Sequence, residues 1–152
     1  MGRSDAGASG IVVIDDVGAK DVWERLKSDP KAVMVDVRTK AEWSFVGLPD
    51  LSSIGKKPIL AEWQTFQDSR VDPQFADTVA TALTESGVGK EAEIFFICRS
   101  GGRSKAAAMA MASRGFSRCR NVADGFEGPL DPSRHRGLAG GWKAAGLPWA
   151  QG

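Results

Sequence analysis

Ile94-Phe95-Phe96-Ile97-Cys98-Arg99-Ser100-Gly101-Gly102-Arg103-Ser104 is the stretch that decides the fold. Its first four residues are apolar without a break, which reads as a strand covered on both faces. The chain then turns through Gly101-Gly102, and residues 104–113 are rich in alanine, with Met109 and Met111 among them and Gly115 behind as a C-cap. Cys98 therefore stands at a strand end, facing a helix start. A turn with two glycines can curl its N–H groups inward, and a helix N-terminus adds free N–H groups and partial positive charge. Arg99 and Arg103 bring formal charge to the same place. Each of these features favours a thiolate over a thiol, and an anion bonded to that sulfur. A cysteine ending a strand can also be plain packing, but packing requires neither the arginines nor the glycine pair. The loop lacks GxxxxGK[ST], so it is no nucleotide-binding P-loop, and it is no dinucleotide fingerprint either.

Outward from the loop, short apolar strands alternate with helices. Cys119 to Val122 reads as a further strand. Upstream, Phe75, Val79, Ala82 and Leu83 recur at helical spacing between Pro73 and Gly87. Ala32-Val33-Met34-Val35-Asp36-Val37 is a second buried strand, and Thr39 with Glu42 three residues on predicts a capping box. Ile11-Val12-Val13-Ile14 predicts a first strand, Asp15-Asp16 a helix cap, and Val17, Val22, Trp23 and Leu26 an apolar stripe that ends before Pro30. Residues 47–74 are broken by glycine and proline. Leu60 to Trp63 with Phe66 predicts one short helix there, and Trp63 and Phe66 are candidates for a site rim. Residues 138–145 predict a last short helix before Gly146. Strands separated by helices predict an α/β layer with a mostly parallel sheet. Residues 1–10 read as a flexible tail and 11–150 as a single domain.

Composition narrows the function. The 152 residues carry 20 Lys and Arg against 19 Asp and Glu, a net charge of +1. Neither nucleic acid nor membrane is an expected partner, because no basic stripe is present and no apolar run approaches the roughly 18 residues of a span. The first seven residues lack the apolar core of a secretory leader, and two cysteines without CxxC spacing fit a reducing, cytoplasmic setting. With one histidine, His135, in a polar loop, no metal site and no cofactor are expected. Cys119 is read as a small core residue, the alternative being a partner that resolves an oxidised Cys98. Arg99, Arg103, Lys105, Arg114, Arg118 and Arg120 make one region positive, which suits a small anionic substrate.

The chain resembles the single-domain rhodanese-like sulfurtransferases. The matching pieces are Cys98 to Ser104, Val35-Asp36-Val37-Arg38 with Glu42-Trp43, Asn121 to Phe126, and the ending Gly141-Trp142-Lys143-Ala144-Ala145-Gly146-Leu147-Pro148. The resemblance implies a rhodanese-like α/β fold, a central parallel five-stranded sheet with helices on both faces. It implies that Cys98 is the catalytic nucleophile, carrying a persulfide sulfur from a small anionic donor such as thiosulfate to cyanide or a thiol. Arg99, Ser100, Gly101, Gly102, Arg103 and Ser104 would then bind substrate, and Asp36, Arg38 and Glu42 would support them. Arg103 is expected to turn inward onto Glu42 or Asp36, and Arg99 to face the donor. A protein sulfur acceptor, with the domain as a relay or binding module, is the first alternative. A cysteine-dependent phosphatase or arsenate reductase is the second, disfavoured because four rather than five residues separate Cys98 from Arg103. Family members often carry His-Ile-Pro-Gly after the acid. Here the chain reads Val46-Gly47-Leu48-Pro49-Asp50, and residues 51–74 are longer.

Overall fold

The computed structural model describes residues 13–64 and 70–151. In chain order the elements begin with β1 (Asp15–Val17), α1 (Ala19–Ser28), β2 (Val33–Asp36), α2 (Lys40–Phe45) and β3 (Leu48–Pro49). A 3-10 turn at Ser52–Ile54 leads to β4 (Ile59–Leu60), α3 (Phe75–Glu85) and β5 (Glu93–Ile97). The chain closes with α4 (Gly102–Ala112), β6 (Arg118–Val122), α5 (Gly141–Ala144) and β7 (Trp149–Ala150). Five strands form one sheet in the order β1-β6-β5-β2-β4, all parallel, while β3 and β7 pair antiparallel beside it.

β5 lies at the centre, and every residue of it is buried. Side chains alternate across a strand. Ile94 and Phe96 accordingly pack with Val79, Leu83, Ala107, Ala108 and Met111 of α3 and α4. Phe95 and Ile97 pack on the other face with Val22 and Leu26 of α1 and Trp142 of α5. Two apolar layers around one sheet explain why the strand reads as an unbroken run, and each fully buried Phe is worth about 1.5–3 kcal/mol against exposure. Cys98, two residues beyond Phe96, continues the α3–α4 side and is 1% exposed.

Four expectations need correction. The first strand runs over Asp15–Val17 rather than residues 11–14, of which 11 and 12 lie outside the described residues. Asp15 and Asp16 pair with Arg120 and Asn121 instead of capping α1, whose N-cap is Gly18 without a side-chain bond. The short helix expected around residues 60–63 is replaced by the edge strand β4, because Ile59 and Leu60 find Val35 and Asp36 of β2 to pair with. Trp63, partly buried, stacks edge-on against Phe75 at 5.0 Å and packs on the core. The C-terminal helix is shorter than expected, starting at Gly141, where φ is +91° and a Cβ would sit 2.8 Å from the Gly125 carbonyl oxygen. The N-terminal tail and Phe66 lie outside the described residues.

Candidate active site

The loop after β5 opens at the carboxyl end of the parallel sheet, where open α/β sheets place their ligands. Two ties shape it. Phe126 N–H donates to the Cys98 carbonyl at 2.8 Å, and the N–H groups of Glu127 and Gly128 donate to the Arg99 carbonyl at 2.9 and 3.1 Å. Because a trans peptide sets each C=O opposite the next N–H, the N–H groups of Arg99 and Ser100 point away from residues 126–128. Gly125 makes this approach feasible. Its φ is +63°, and a Cβ there would lie 2.4 Å from the Cys98 oxygen. Gly101, at φ +114°, is the N-cap of α4. Its N–H donates to Cys98 Sγ at 3.2 Å.

Ser104, fully buried in the first turn of α4, sets its hydroxyl 3.2 Å from Cys98 Sγ. Arg99 and Ser100 are exposed. Arg103 turns inward. Its two terminal nitrogens donate to the two Glu42 oxygens at 2.8 and 3.0 Å. Glu42 itself is fixed by the predicted capping box, with its carboxylate accepting from the Thr39 N–H and hydroxyl at 3.1 Å. Burial pushes the Glu42 carboxyl up, but the bonds and charge of Arg103, with those of Thr39, outweigh it and hold the group below its ordinary value. The Glu42 bonds raise the Arg103 guanidinium against its burial, and the charges of Glu42, Cys98 and Asp36 add to them.

Asp36 and Arg38 are brought together, but with each other. Arg38 Nε and Nη2 donate to the carboxylate at 3.0 and 2.8 Å, and Nη2 also reaches the Gly47 carbonyl at 2.7 Å. The Arg38 guanidinium lies 4.3 Å from the Phe126 ring centroid. Neither side chain has any exposure, so this pair braces the wall under the loop and holds Gly47.

Asn121 and Asp16 belong to this site although the motif reading gave them no role. β6 sets Asn121 beside Phe96 and β1 sets Asp16 beside Asn121, so the three share a face with Cys98 one step above. Asn121 Oδ1 meets the Ser104 hydroxyl, and Asn121 Nδ2 donates to Asp16 Oδ1 at 2.9 Å. The available signal was an asparagine next to Val122 on a strand whose alternate residue, Cys119, is read as core, so that Asn121 shares the inward face and demands a partner. Cys119 is not a partner of Cys98. It pairs with Ile94, four residues before Cys98, hence about 13 Å down the strand, beyond the roughly 7 Å reach of a disulfide. Burial pushes its thiol up to about 12, against a small opposing effect of Arg120. His135 is exposed, as its polar surroundings predict. Among the described residues no acid, cysteine and histidine cluster could hold a metal, and no helix is long and apolar enough to cross a membrane.

Comparison with known proteins places this site in context. A family model described as the STR4 middle domain matches residues 15–152. The crystal structure of Rv0390 from M. tuberculosis is 42% identical, with a TM-score of 0.80 over 93% of this chain and 100% of that one. The uncharacterized protein RC0915 of Rickettsia conorii is 35% identical over 136 residues, covering 90% of this chain and 97% of its own. The chloroplastic rhodanese-like domain-containing protein 4 of Arabidopsis thaliana is 25% identical over 133 residues, which are 88% of this chain and 25% of that protein.

Proposed function

The chain belongs to the STR4 middle-domain family and has a rhodanese-like fold, and on that premise we propose that it is a sulfurtransferase working through a persulfide on Cys98. The observation that carries this reading is the position of Cys98 Sγ. It lies at the base of the loop, accepts the Gly101 N–H at 3.2 Å at the start of α4, and has no basic side chain bonded to it among the described residues. Such a site suits a sulfur anion held by backbone dipoles.

The Cys98 thiolate attacks the outer sulfur of thiosulfate. A bond forms between Sγ and that sulfur, the old S–S bond breaks, and sulfite leaves with its electron pair. Cyanide or a thiolate then attacks the outer sulfur, and the bonding pair returns to Sγ. This is covalent catalysis that splits one transfer into two. The N–H groups of Arg99 and Ser100, turned away from residues 126–128, are the donors for the outer sulfur. Exposed Arg99 attracts the anionic donor. Arg103, held bidentate by Glu42, orders the loop instead of gripping substrate, which argues against a phosphatase that needs its arginine on the phosphoryl oxygens. The partners this reading calls for are a small anionic donor and a cyanide, thiol or protein acceptor.

Intact mass after incubation with thiosulfate tests the reading. One added sulfur is expected on the unmodified protein, removable by cyanide and absent from C98S. If no sulfane donor loads the protein while an aryl phosphate is hydrolysed, the reading fails.

A further inference from the structure

The Ser104 hydroxyl has one proton and three acceptors within reach, the most distant being the Gly101 carbonyl at 3.3 Å. It stands 3.2 Å from Cys98 Sγ and in short hydrogen-bond contact with Asn121 Oδ1. Which way Asn121 points is settled by Asp16. A carboxylate only accepts, so Nδ2 must face Asp16, and Oδ1 must face Ser104. Oδ1 also only accepts, so it claims the hydroxyl proton. Ser104 then turns a lone pair toward Cys98, which suits a thiol donating its proton and opposes a bare thiolate.

We propose that Asp16, Asn121 and Ser104 form a hydrogen-bond chain that sets the proton preference of Cys98. They are positioning residues for the sulfur carrier, and the proposal deepens the sulfurtransferase reading on which it rests. In the free thiolate, Ser104 rotates its proton to Sγ and gives up Asn121. In the persulfide, Sγ is neutral and the proton returns to Asn121. The Gly101 N–H serves Sγ in both states. The chain is confined to this site. Ser104 and Asn121 are 0% and 3% exposed, while Asp16 is half exposed and also meets Lys105 at 3.2 Å. The Asn121 bond holds the Asp16 carboxyl below its ordinary value, helped against slight burial by the bond and charge of Lys105.

Other charges around Cys98 are Arg99 in the loop, Arg103 and Lys105 on α4, and Asp36 with Arg38 at the end of β2. Glu42 on α2 and Asp124 after β6 complete the set. Of these, only Lys105 loses a partner, Asp16, and it does so in D16A and D16N alike, so the comparison of those two variants cancels it. The measurement is the pH dependence of Cys98 alkylation by iodoacetamide, followed by mass in the full chain. N121A frees the Ser104 proton for Sγ, so the titration midpoint should fall by about one pH unit. D16A lets the amide turn its Nδ2 to Ser104, with the same effect. D16N removes the charge but still accepts from Nδ2, and should restore the unmodified midpoint. In an S104A background, N121A should no longer lower the midpoint. The proposal is overturned if N121A shifts the midpoint equally with and without Ser104, or if D16N behaves as D16A. D16A, altering a half-exposed side chain, keeps the test alive if N121A fails to fold. Thiosulfate loading of the unmodified protein is read separately, so loss of the sulfur-carrier reading would not be mistaken for loss of the hydrogen-bond chain.

Discussion

Replacing Glu42 by Gln probes the tie between α2 and the loop. The substitution keeps the side chain's shape and one carbonyl oxygen for Thr39, but removes the charge that holds Arg103 in two bonds of 2.8 and 3.0 Å. The pair is 23% and 17% exposed, so water screens it only in part. A fully buried pair broken on one side costs about 3–5 kcal/mol and a hydrogen bond to a charge about 1.5–3. Partial exposure puts the expected loss at about 2 kcal/mol at pH 7, or about 4–8 °C in Tm for a chain of this size. The pH dependence has a definite sign. Glu42 has its folded pKa below the unfolded value. Its contribution is therefore complete above that unfolded value of about 4.3 and is lost as pH falls through the lower folded value. Urea unfolding of both proteins at pH 7 and again near pH 3 is the assay. The difference in stability should be largest at pH 7 and shrink as pH falls below the unfolded value toward the lower folded one. An equal difference at both pH values would show that shape, not charge, was lost and refute the reasoning.

Two further outcomes follow from the same geometry. G125A places a Cβ against the Cys98 and Arg99 carbonyls in a left-handed conformation; a loss of about 2–4 kcal/mol with impaired sulfur loading is expected, and a urea midpoint within error of the unmodified protein would count against the loop ties. Cys119, with its thiol pushed up to about 12 by burial, should resist alkylation in the folded protein at pH 8 and react once urea unfolds it, and C119S should keep full sulfur loading; rapid labelling of native Cys119 would contradict its assigned place in the core.

Local chemistry in the sequence determined much of this protein. An unbroken apolar strand, a glycine pair and an alanine-rich helix specify a strand–loop–helix by themselves, because burial on two faces and turn geometry act over a few residues. The Thr39–Glu42 capping box is legible for the same reason, its partners being three residues apart. What depends on distant partners was decided only by the tertiary structure. β4 has two residues and becomes a strand solely because the edge of β2 is free to pair with it. Asp15 and Asp16 have the composition of a helix cap, yet β6 recruits them into the sheet, since ladder bonds to a neighbouring strand outweigh a local cap. Arg103 could have met Asp36 or Glu42, and the choice of Glu42, 61 residues away, came from where the capping box at the start of α2 holds that carboxylate. The bond from Asn121 to Asp16 spans 105 residues and exists because β1 and β6 are neighbours, which no local pattern encodes.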